Sequence, residues 1–326
     1  MKNTIQQLKE FSKQSLFKFN NRTQLPLLNN DEILELLLRV KKSKVSPLQR
    51  HDISFRKIGD VRSTFRGHGM DYEESRQYQP GDDPRYMNWQ LSARSGQYYM
   101  KVFREERQPG VFILIDRRRP MRFGTKQRLK VTQAVRAAAI AAFAAQENNL
   151  SIGGVILDDE LEWFKENQNK QSVFDFLHQA ARPASPVSEN KSTKAQEPSI
   201  VDVIQTLNEV LTTGSTVYLI SDFHDINDNC QPALLQLSSS HQVYAVQIYD
   251  PAEVVLTKAG TLELKNMGLT STTQIDTNSS REYENYLSKS DDYFAELKYL
   301  FENIAIPYQQ SATSDDEVER ILSRTL

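Results

Sequence analysis

The sequence predicts an α/β protein with a doubly wound, mostly parallel sheet. Short apolar runs of strand length alternate with stretches of helical periodicity. A continuous apolar run is typical of a strand covered on both faces, as in a parallel sheet. Strands that alternate with helices form right-handed crossovers, which produce a doubly wound sheet. The apolar runs are VFILI (111–115), SIGGVIL (151–157), TVYLIS (216–221) and HQVYAVQIY (241–249).

The segments between and after these strands are assigned from spacing and composition. Residues 126–147 are rich in Ala and carry apolar residues three and four positions apart, which predicts a long helix. Residues 183–199 have loop composition and predict a flexible loop, and 252–276 indicate a β hairpin or meander around Gly260 and Gly268. The other helices expected here are 172–181, 200–213, 232–239, 281–304 and one within the final DDEVERILSRTL (315–326).

Two further segments precede this α/β domain, which is assigned to residues 111–326. In residues 1–50, Asp31 can cap a short helix, so we expect an N-terminal helical extension. Its apolar residues Ile33, Leu34, Leu37 and Leu38 recur at helical spacing. Residues 51–110 lack a long period and are rich in Arg, Gly, Tyr and acidic residues, which indicates an arm of loops and short strands.

Composition limits the classes of function. Hydrophobic residues at 39% and charged residues at 25% fit an ordinary globular protein, and the net charge of −2 argues against a globally basic nucleic-acid binder. The single cysteine, Cys230, excludes an internal disulfide framework and a Cys-based zinc site. No stretch approaches the roughly 18 apolar residues of a transmembrane helix, and the first residues do not resemble a secretory signal. We therefore expect a soluble, cytoplasmic protein.

Three predicted strands end in an aspartate, namely Asp116, Asp222 and Asp250. In open α/β sheets, ligands bind at the carboxyl ends of the strands, so these carboxylates could gather around Mg²⁺. Aspartates also cap helices and open turns at strand ends, and for Asp250 this interpretation is equally good.

The basic residues that follow Asp116 argue against a metal ion. A guanidinium near the aspartates would repel a divalent cation and replace it as counter-charge, and we expect Arg118 to pair in this way. The neighbouring arginines would then form an exposed basic rim that binds an acidic protein partner, although a merely solvated charge run remains the alternative. The predicted partner-binding residues are Arg117, Arg118, Arg119 and Arg122, and the wider basic cluster continues through Lys126, Arg128 and Lys130.

The most specific part of the sequence lies just before the first apolar strand. In QPGDDPR, Pro80-Gly81 suits a type II turn, and Asp82 and Asp83 can accept backbone N–H groups. Arginines interleaved with acids predict internal ion pairs, with aromatic side chains supplying the packing. Stacking on single-stranded nucleic acid is a weaker alternative, because acids and bases nearly balance. The aromatic residues are Tyr72, Tyr78, Tyr86, Trp89, Tyr98 and Tyr99.

These residues resemble the domain-of-unknown-function 58 family, a bacterial family with a von Willebrand A-like region. The resemblance rests on RSTFRGHGMDYEESRQYQPGDDPRYMNW, SARSGQYYMKVFREER, VFILID and the later LISDFHD and IYDPAE, and it covers roughly residues 30–326. Phe123, Gly124 and Lys126 also match. The positions that match the family motif are Arg66, Gly67, Gly69, Glu74, Arg76, Tyr78, Pro80, Gly81, Asp82, Asp83, Arg85, Trp89 and Arg94.

The resemblance implies a von Willebrand A (Rossmann-like) fold and association with MoxR-type AAA+ ATPases and other von Willebrand A proteins. In such domains an Asp-x-Ser-x-Ser pattern after the first strand opens a metal site. Here the serine positions are Arg118 and Pro120, so the site, with Asp116 and Asp222, is degenerate and we expect neither metal nor cofactor. A second departure is Asn88, where the family has an acidic residue before the Trp.

The favoured function is therefore a non-enzymatic interaction module or adaptor that works with a MoxR-type ATPase in chaperone-like assembly or activation of other proteins. One alternative is a Mg²⁺-dependent hydrolase that uses Asp116, Asp222 and Asp250. Its weakness is that the five histidines show no metal-binding spacing and that no G-x-S-x-G motif occurs, with only His224 well placed for chemistry. The other alternative is nucleic-acid binding through residues 117–130, which would depend steeply on salt.

Overall fold

The computed structural model of this protein describes residues 27–43, 70–105, 109–125, 127–183, 198–265 and 272–323. The chain divides into two compact units, residues 50–108 and the remainder. Within the described part of the chain, no helix combines the length and the apolarity needed to span a bilayer.

The strands and helices are numbered along the chain. The strands are β1 (Met70–Gln77), β2 (Tyr99–Glu105), β3 (Val111–Asp116), β4 (Ile152–Leu157), β5 (Leu161–Asn167), β6 (Thr216–Ser221), β7 (Gln242–Tyr249), β8 (Thr261–Lys265), β9 (Thr272–Asp276) and β10 (Tyr308–Ala312). The helices are α1 (Asn30–Ser43), α2 (Trp89–Ser95), α3 (Lys130–Glu147), α4 (Lys170–Ala180), α5 (Ile200–Val210), α6 (Gln231–Ser240), α7 (Pro251–Val254), α8 (Ser280–Asn303) and α9 (Arg320–Ser323).

The larger unit is built on a six-stranded sheet in the order β10-β7-β6-β3-β4-β5. All neighbours are parallel except β4 and β5, and Leu114 of β3 lies opposite Val155 of β4 and Leu219 of β6. Side chains of β3 alternate between two hydrophobic clusters. One cluster includes apolar residues of α1, α3 and α4, and the other includes those of α5, α6 and α8. Helices therefore cover both faces, and the predicted α/β architecture with a mostly parallel sheet is confirmed.

Helix α3 lies at the centre of one layer, and its residues from Lys130 to Ala145 are all buried. Its many alanines have small side chains, which lets α3 approach β3, α1 and α4 closely. The helix begins at Lys130 rather than at the predicted 126. The chain before it forms a loop in which the Lys130 N–H donates to the carbonyl of Phe123 over 2.7 Å.

Several boundaries and elements differ from the predictions. Asp31 does not cap α1, because the Asn29 side chain accepts from the N–H of Glu32 and the Glu32 carboxylate accepts from the N–H of Asn29, both over 2.8 Å. The predicted C-terminal helix reduces to α9, since residues 313–319 form turns and 324–326 lie outside the described residues. Strands β5 and β10 and helix α2 were not predicted. Most of the predicted flexible loop, residues 184–197, and Gly268 also lie outside the described residues.

The smaller unit is described by residues 70–105. Strands β1 and β2 form an antiparallel pair with a bulge between Tyr72 and Glu74. Asn88, the departure from the family pattern, caps α2 by accepting the N–H of Leu91 over 3.1 Å. Gly96 ends this helix with a φ of 72°, a conformation that suits glycine.

Candidate functional site

The candidate site begins with Asp116, the last residue of β3, whose side chain is fully buried. Arg118 holds both carboxylate oxygens, with Nη2–Oδ2 and Nε–Oδ1 distances of 2.7 and 3.1 Å. The Arg118 backbone N–H and the Ser221 hydroxyl donate to the same carboxylate over 3.0 and 2.6 Å. Asp116 therefore has its negative charge compensated within the protein, by the residue expected to do so.

The Arg118 guanidinium continues to a second carboxylate. Its Nη1 and Nη2 atoms lie 2.5 and 2.9 Å from the oxygens of Asp225. Asp225 also accepts from the N–H of Ile200, the first residue of α5, over 3.3 Å. Burial would lower the pKa of Arg118, but its hydrogen bonds and the charges of Asp225 and Asp116 raise it above its usual value. The guanidinium is thus a fixed cation that links the ends of β3 and β6 with the start of α5.

Asp222, directly after β6, has a cation of its own. Lys130, the first residue of α3, places Nζ 2.8 Å from Asp222 Oδ2 and 2.6 Å from Glu253 Oε1. Burial favours the protonated carboxyl, yet Lys130 and His224 outweigh it and hold the pKa of Asp222 well below its usual range. The same contacts raise the pKa of Lys130 against the effect of its burial. The pair is ionised and almost fully covered by protein.

His224 completes this group at its outer edge. Its Nδ1 lies 2.9 Å from Asp222 Oδ1, and its side chain is 37% exposed. Burial would lower the pKa of His224, but the hydrogen bond and the charge of Asp222 raise it. His224 is therefore oriented by a carboxylate and faces solvent in part.

Asp116, Asp222 and His224 each present one ligand atom, and these atoms lie within 4.8 Å of one another. These residues nevertheless do not fit a divalent cation. Arg118 already binds the carboxylate of Asp116, and Lys130 already binds that of Asp222. At about 4 Å from either cation, a divalent ion would be repelled by about 8 kcal/mol at an effective dielectric constant of about 20. Pro120, at the second serine position, has no hydroxyl to offer.

The third strand-end aspartate, Asp250, has a structural role in the protein. Its side chain accepts the N–H groups of Thr125 and Ala252, each over 2.9 Å, and the hydroxyl of Thr313 over 2.8 Å. The Thr125 hydroxyl donates to it as well. Asp250 also forms a capping box with Glu253 at the start of α7. It is fully buried, so the helix-capping interpretation applies and the hydrolase alternative loses one of its three carboxylates.

The expected exposed basic rim is wrong for Arg117 and Arg122, whereas Arg118 is paired internally as expected. Arg118 is buried at Asp116, and Arg117 is 2% exposed with Nε 3.0 Å from Asp158 Oδ2. Arg122 also pairs with Asp158, over 2.6 Å, and it is largely covered. The buried Arg117 guanidinium also donates to the carbonyl groups of Ala180 and Arg182, at and just after the end of α4. These hydrogen bonds satisfy its donors away from water. Arg119 is half-buried. Arg117 and Arg122 tie β3, β4 and α4 together rather than presenting a binding surface.

The family-motif residues are distributed over the smaller unit. The expected ion pairs are present there, with Arg76 Nη2 2.6 Å from Asp82 Oδ1 and Arg85 Nη2 2.6 Å from Asp83 Oδ2. Gly81 has a φ of 107°, which fits the expected turn. Side chains of residues 70–74, including Glu74, lie outside the described set, as do residues 66, 67 and 69.

Four of the six aromatic side chains expected to supply packing in this unit are exposed instead. Trp89 and Tyr98 are each 64% exposed, and Tyr78 and Tyr86 are also exposed. Tyr98 meets the edge of Tyr78, with ring centroids 6.4 Å apart. Among the described motif positions, Tyr78 and Trp89 therefore present aromatic surface.

Sequence reasoning missed four residues that build the site. Lys130 was counted only as a member of the basic cluster after Asp116, and no role was assigned to Ser221, Asp225 or Asp158. For Asp225 and Asp158 a signal existed, because each lies within four residues of the end of an apolar run. For Lys130 the sequence offers no such signal. A lysine that precedes an apolar helix gives no indication that its side chain is buried.

Comparison with known proteins gives a family and uncharacterized relatives. A model of the family described as "Protein of unknown function DUF58" matches residues 74–293. The uncharacterized proteins Mb1516 of Mycobacterium bovis and Rv1480 of Mycobacterium tuberculosis are each 26% identical over 210 residues, which is 64% of this chain and 64% of their own length. Among solved structures, the conserved hypothetical protein BatB of Bacteroides thetaiotaomicron is 11% identical, covers 66% of this chain and 96% of its own, and has a TM-score of 0.41.

Proposed function

This chain belongs to the DUF58 family, and we propose that it is a protein-interaction module, or adaptor, with a von Willebrand A-type domain and no metal-dependent step. Its partner is a MoxR-type AAA+ ATPase, together with other von Willebrand A proteins, and the complex assembles or activates further proteins. The family resemblance supports the choice of partner, and the paired carboxylates of the site support a function without a metal-dependent step. The module works in the cytoplasm.

The observation that carries this proposal is that the two strand-end aspartates at the centre of the sheet are each held by an internal cation. Arg118 binds Asp116 over 2.7 Å and Lys130 binds Asp222 over 2.8 Å. A von Willebrand A domain that binds its ligand through a metal ion needs these carboxylates free to coordinate the metal. A Mg²⁺-dependent hydrolase that used the same aspartates would need them free as well. Because they are neutralised and buried, we place partner binding on another part of the surface.

The partner is tested by isolating a tagged chain from its native host after chemical cross-linking in cells, with MgATP in all buffers. Mass spectrometry should find a MoxR-type AAA+ ATPase enriched over an unrelated tagged bait of similar size. Enrichment of proteins that include no AAA+ ATPase would refute the partner. A hydrolytic activity of the purified chain that disappears in Asp116→Asn would refute a non-enzymatic module.

A further inference from the structure

A cleft of about 870 Å³ opens at the carboxyl ends of β7 and β10 in the larger unit. Tyr249 and Ala312, the last residues of these two strands, line one side of it, and the segment from α7 into β8 lines the other. Asp250 lies beside the cleft. Its carboxylate already accepts hydrogen bonds from Thr125, Ala252 and Thr313, so we do not count it among the groups that bind a ligand. A volume of about 300–1,000 Å³ is typical of a site that receives a small ligand or a few side chains.

Apolar side chains make up most of the lining. They include Leu256, Leu262 and Val255, and Val255 is 55% exposed although it is aliphatic. An exposed aliphatic side chain inside a concave surface is unfavourable in water unless something covers it. The lining therefore favours an occupant with apolar side chains of its own.

The charged residues that line the cleft within the described part of the chain are both acidic. Glu263 and Asp315 are the charged residues among those that line it, and no described Lys or Arg pairs with either carboxylate. Asp315 accepts the backbone N–H of Ala312 over 2.8 Å, which fixes its side chain at the cleft. Together with burial, its charge raises the pKa of Tyr249 on the cleft wall.

Lys258, a basic residue close to the cleft in sequence, does not neutralise these acids. Lys258 lies between two lining residues, yet its Nζ sits over the ring of Tyr283, 5.5 Å from the ring centroid. Two carboxylates without a basic partner among the described residues thus line a mostly apolar cleft. Such a surface is complementary to a cation on an apolar stem or between apolar neighbours.

We propose that this cleft binds a segment of a partner protein in which one Lys or Arg is flanked by apolar residues. The basic side chain lies between Glu263 and Asp315, and the flanking side chains cover Val255, Leu256 and Leu262. This inference rests on the proposed interaction-module function and locates its binding surface away from the strand-end aspartates.

The test uses the purified full chain and a phage-displayed library of random peptides. Selection should enrich peptides that carry Lys or Arg next to aliphatic or aromatic residues. The affinity of an enriched peptide, labelled with a fluorophore, is then measured by fluorescence anisotropy. Glu263→Gln combined with Asp315→Asn removes both charges while keeping the acceptor for Ala312, and it should weaken binding at least about tenfold. Replacing the peptide's basic residue with Gln should have a similar effect.

The matched control is Glu209→Gln combined with Asp202→Asn on the exposed side of α5, which changes the net charge equally and should leave the affinity unchanged. Val255→Glu should also weaken binding without unfolding the chain, because Val255 is exposed. Enrichment of acidic peptides, no enrichment, or equal binding by the cleft variant and the control would overturn the proposal. Self-association that Val255→Glu abolishes would instead assign the cleft to a second copy. These outcomes are independent of whether an AAA+ ATPase is captured in cells.

Discussion

Arg118 and Asp116 form a two-point ion pair inside the protein, although they lie only two residues apart at the end of β3. The geometry is possible because β3 ends at Asp116 and the chain turns there, so that the Arg118 side chain folds back over the strand end. The same guanidinium also reaches Asp225. One arginine thus occupies the place between carboxylates where a cation would otherwise be needed.

Replacing Arg118 with Met should destabilise the larger unit by about 3–5 kcal/mol, because Asp116 would remain buried without its counter-charge. Met keeps much of the apolar stem, so the loss reflects the charge and its hydrogen bonds. The free energy of unfolding is measured by urea denaturation and followed by circular dichroism.

Lys298→Met provides the matched control for this variant. Lys298 and Glu302 form an exposed pair one turn apart on α8, at 3.8 Å. Such pairs contribute at most about 0.5 kcal/mol. If Arg118→Met cost no more than Lys298→Met, the buried pair would be no more important than a surface pair.

Mg²⁺ and Mn²⁺ should leave the Tm of the wild-type protein unchanged, because Arg118 and Lys130 exclude a cation from Asp116 and Asp222. A ligand that binds only the folded state raises the Tm, so differential scanning fluorimetry reports binding directly. NaCl at equal ionic strength controls for general salt effects. If Mg²⁺ or Mn²⁺ raised the Tm of the wild-type protein and Asp116→Asn removed this rise, the result would show that a metal ion binds at Asp116.

The fold was predictable where burial is two-sided. Strands β3, β4, β6 and β7 lie inside the sheet and are continuous apolar runs, whereas the edge strand β10 reads YQQSA and gives no such signal. The edge strand β5, LEWFKEN, mixes charged and apolar residues because it is partly exposed along its length. A continuous apolar run in the sequence reflects burial of the strand on both faces. The edge strands are too exposed to show such a run.

The site was predictable only where it is local. Asp116 and Arg118 are neighbours in sequence, so their pairing could be proposed from charge alone. Lys130 and Asp222 are 92 residues apart, and Arg118 and Asp225 are 107 apart, so only the folded chain brings them together. Arg117 looked exposed because it stands in a run of arginines, but its partner Asp158 lies beyond the end of β4.

Acid should destabilise the larger unit through its buried carboxylates. Burial would raise the pKa of Asp225, but Arg118 outweighs it and lowers that pKa below the unfolded value of about 3.9. A carboxyl with a lowered pKa stabilises the folded state above its unfolded pKa and loses this contribution as the pH falls through its folded pKa. These carboxylates should thus make the free energy of unfolding fall steeply below about pH 4.

Asp225→Asn should make this acid limb shallower, since one ionised group no longer takes up a proton on unfolding. Urea denaturation at a series of pH values gives the slope for both proteins. A Glu209→Gln variant, which removes an exposed carboxylate on α5, should keep the wild-type slope. An identical slope in Asp225→Asn would show that Asp225 does not contribute to the acid limb.

His224 should titrate above the ordinary histidine value, and two other histidines should titrate below it. Burial lowers the pKa of His178 and of His241, and only His224 has a buried carboxylate that reverses this effect. By linkage, protonated His224 stabilises the fold fully below its unfolded pKa of about 6.5, and this contribution disappears as the pH rises through the folded pKa. Nuclear magnetic resonance titration of the imidazole protons measures all three groups in one sample, with His178 and His241 as internal references. Removing the carboxylate charge with Asp222→Asn should bring the His224 pKa down toward those of the other two. A His224 pKa below 6.5 in the wild-type protein would contradict this prediction. It would mean that Asp222 stabilises the charge of Lys130 but not that of His224.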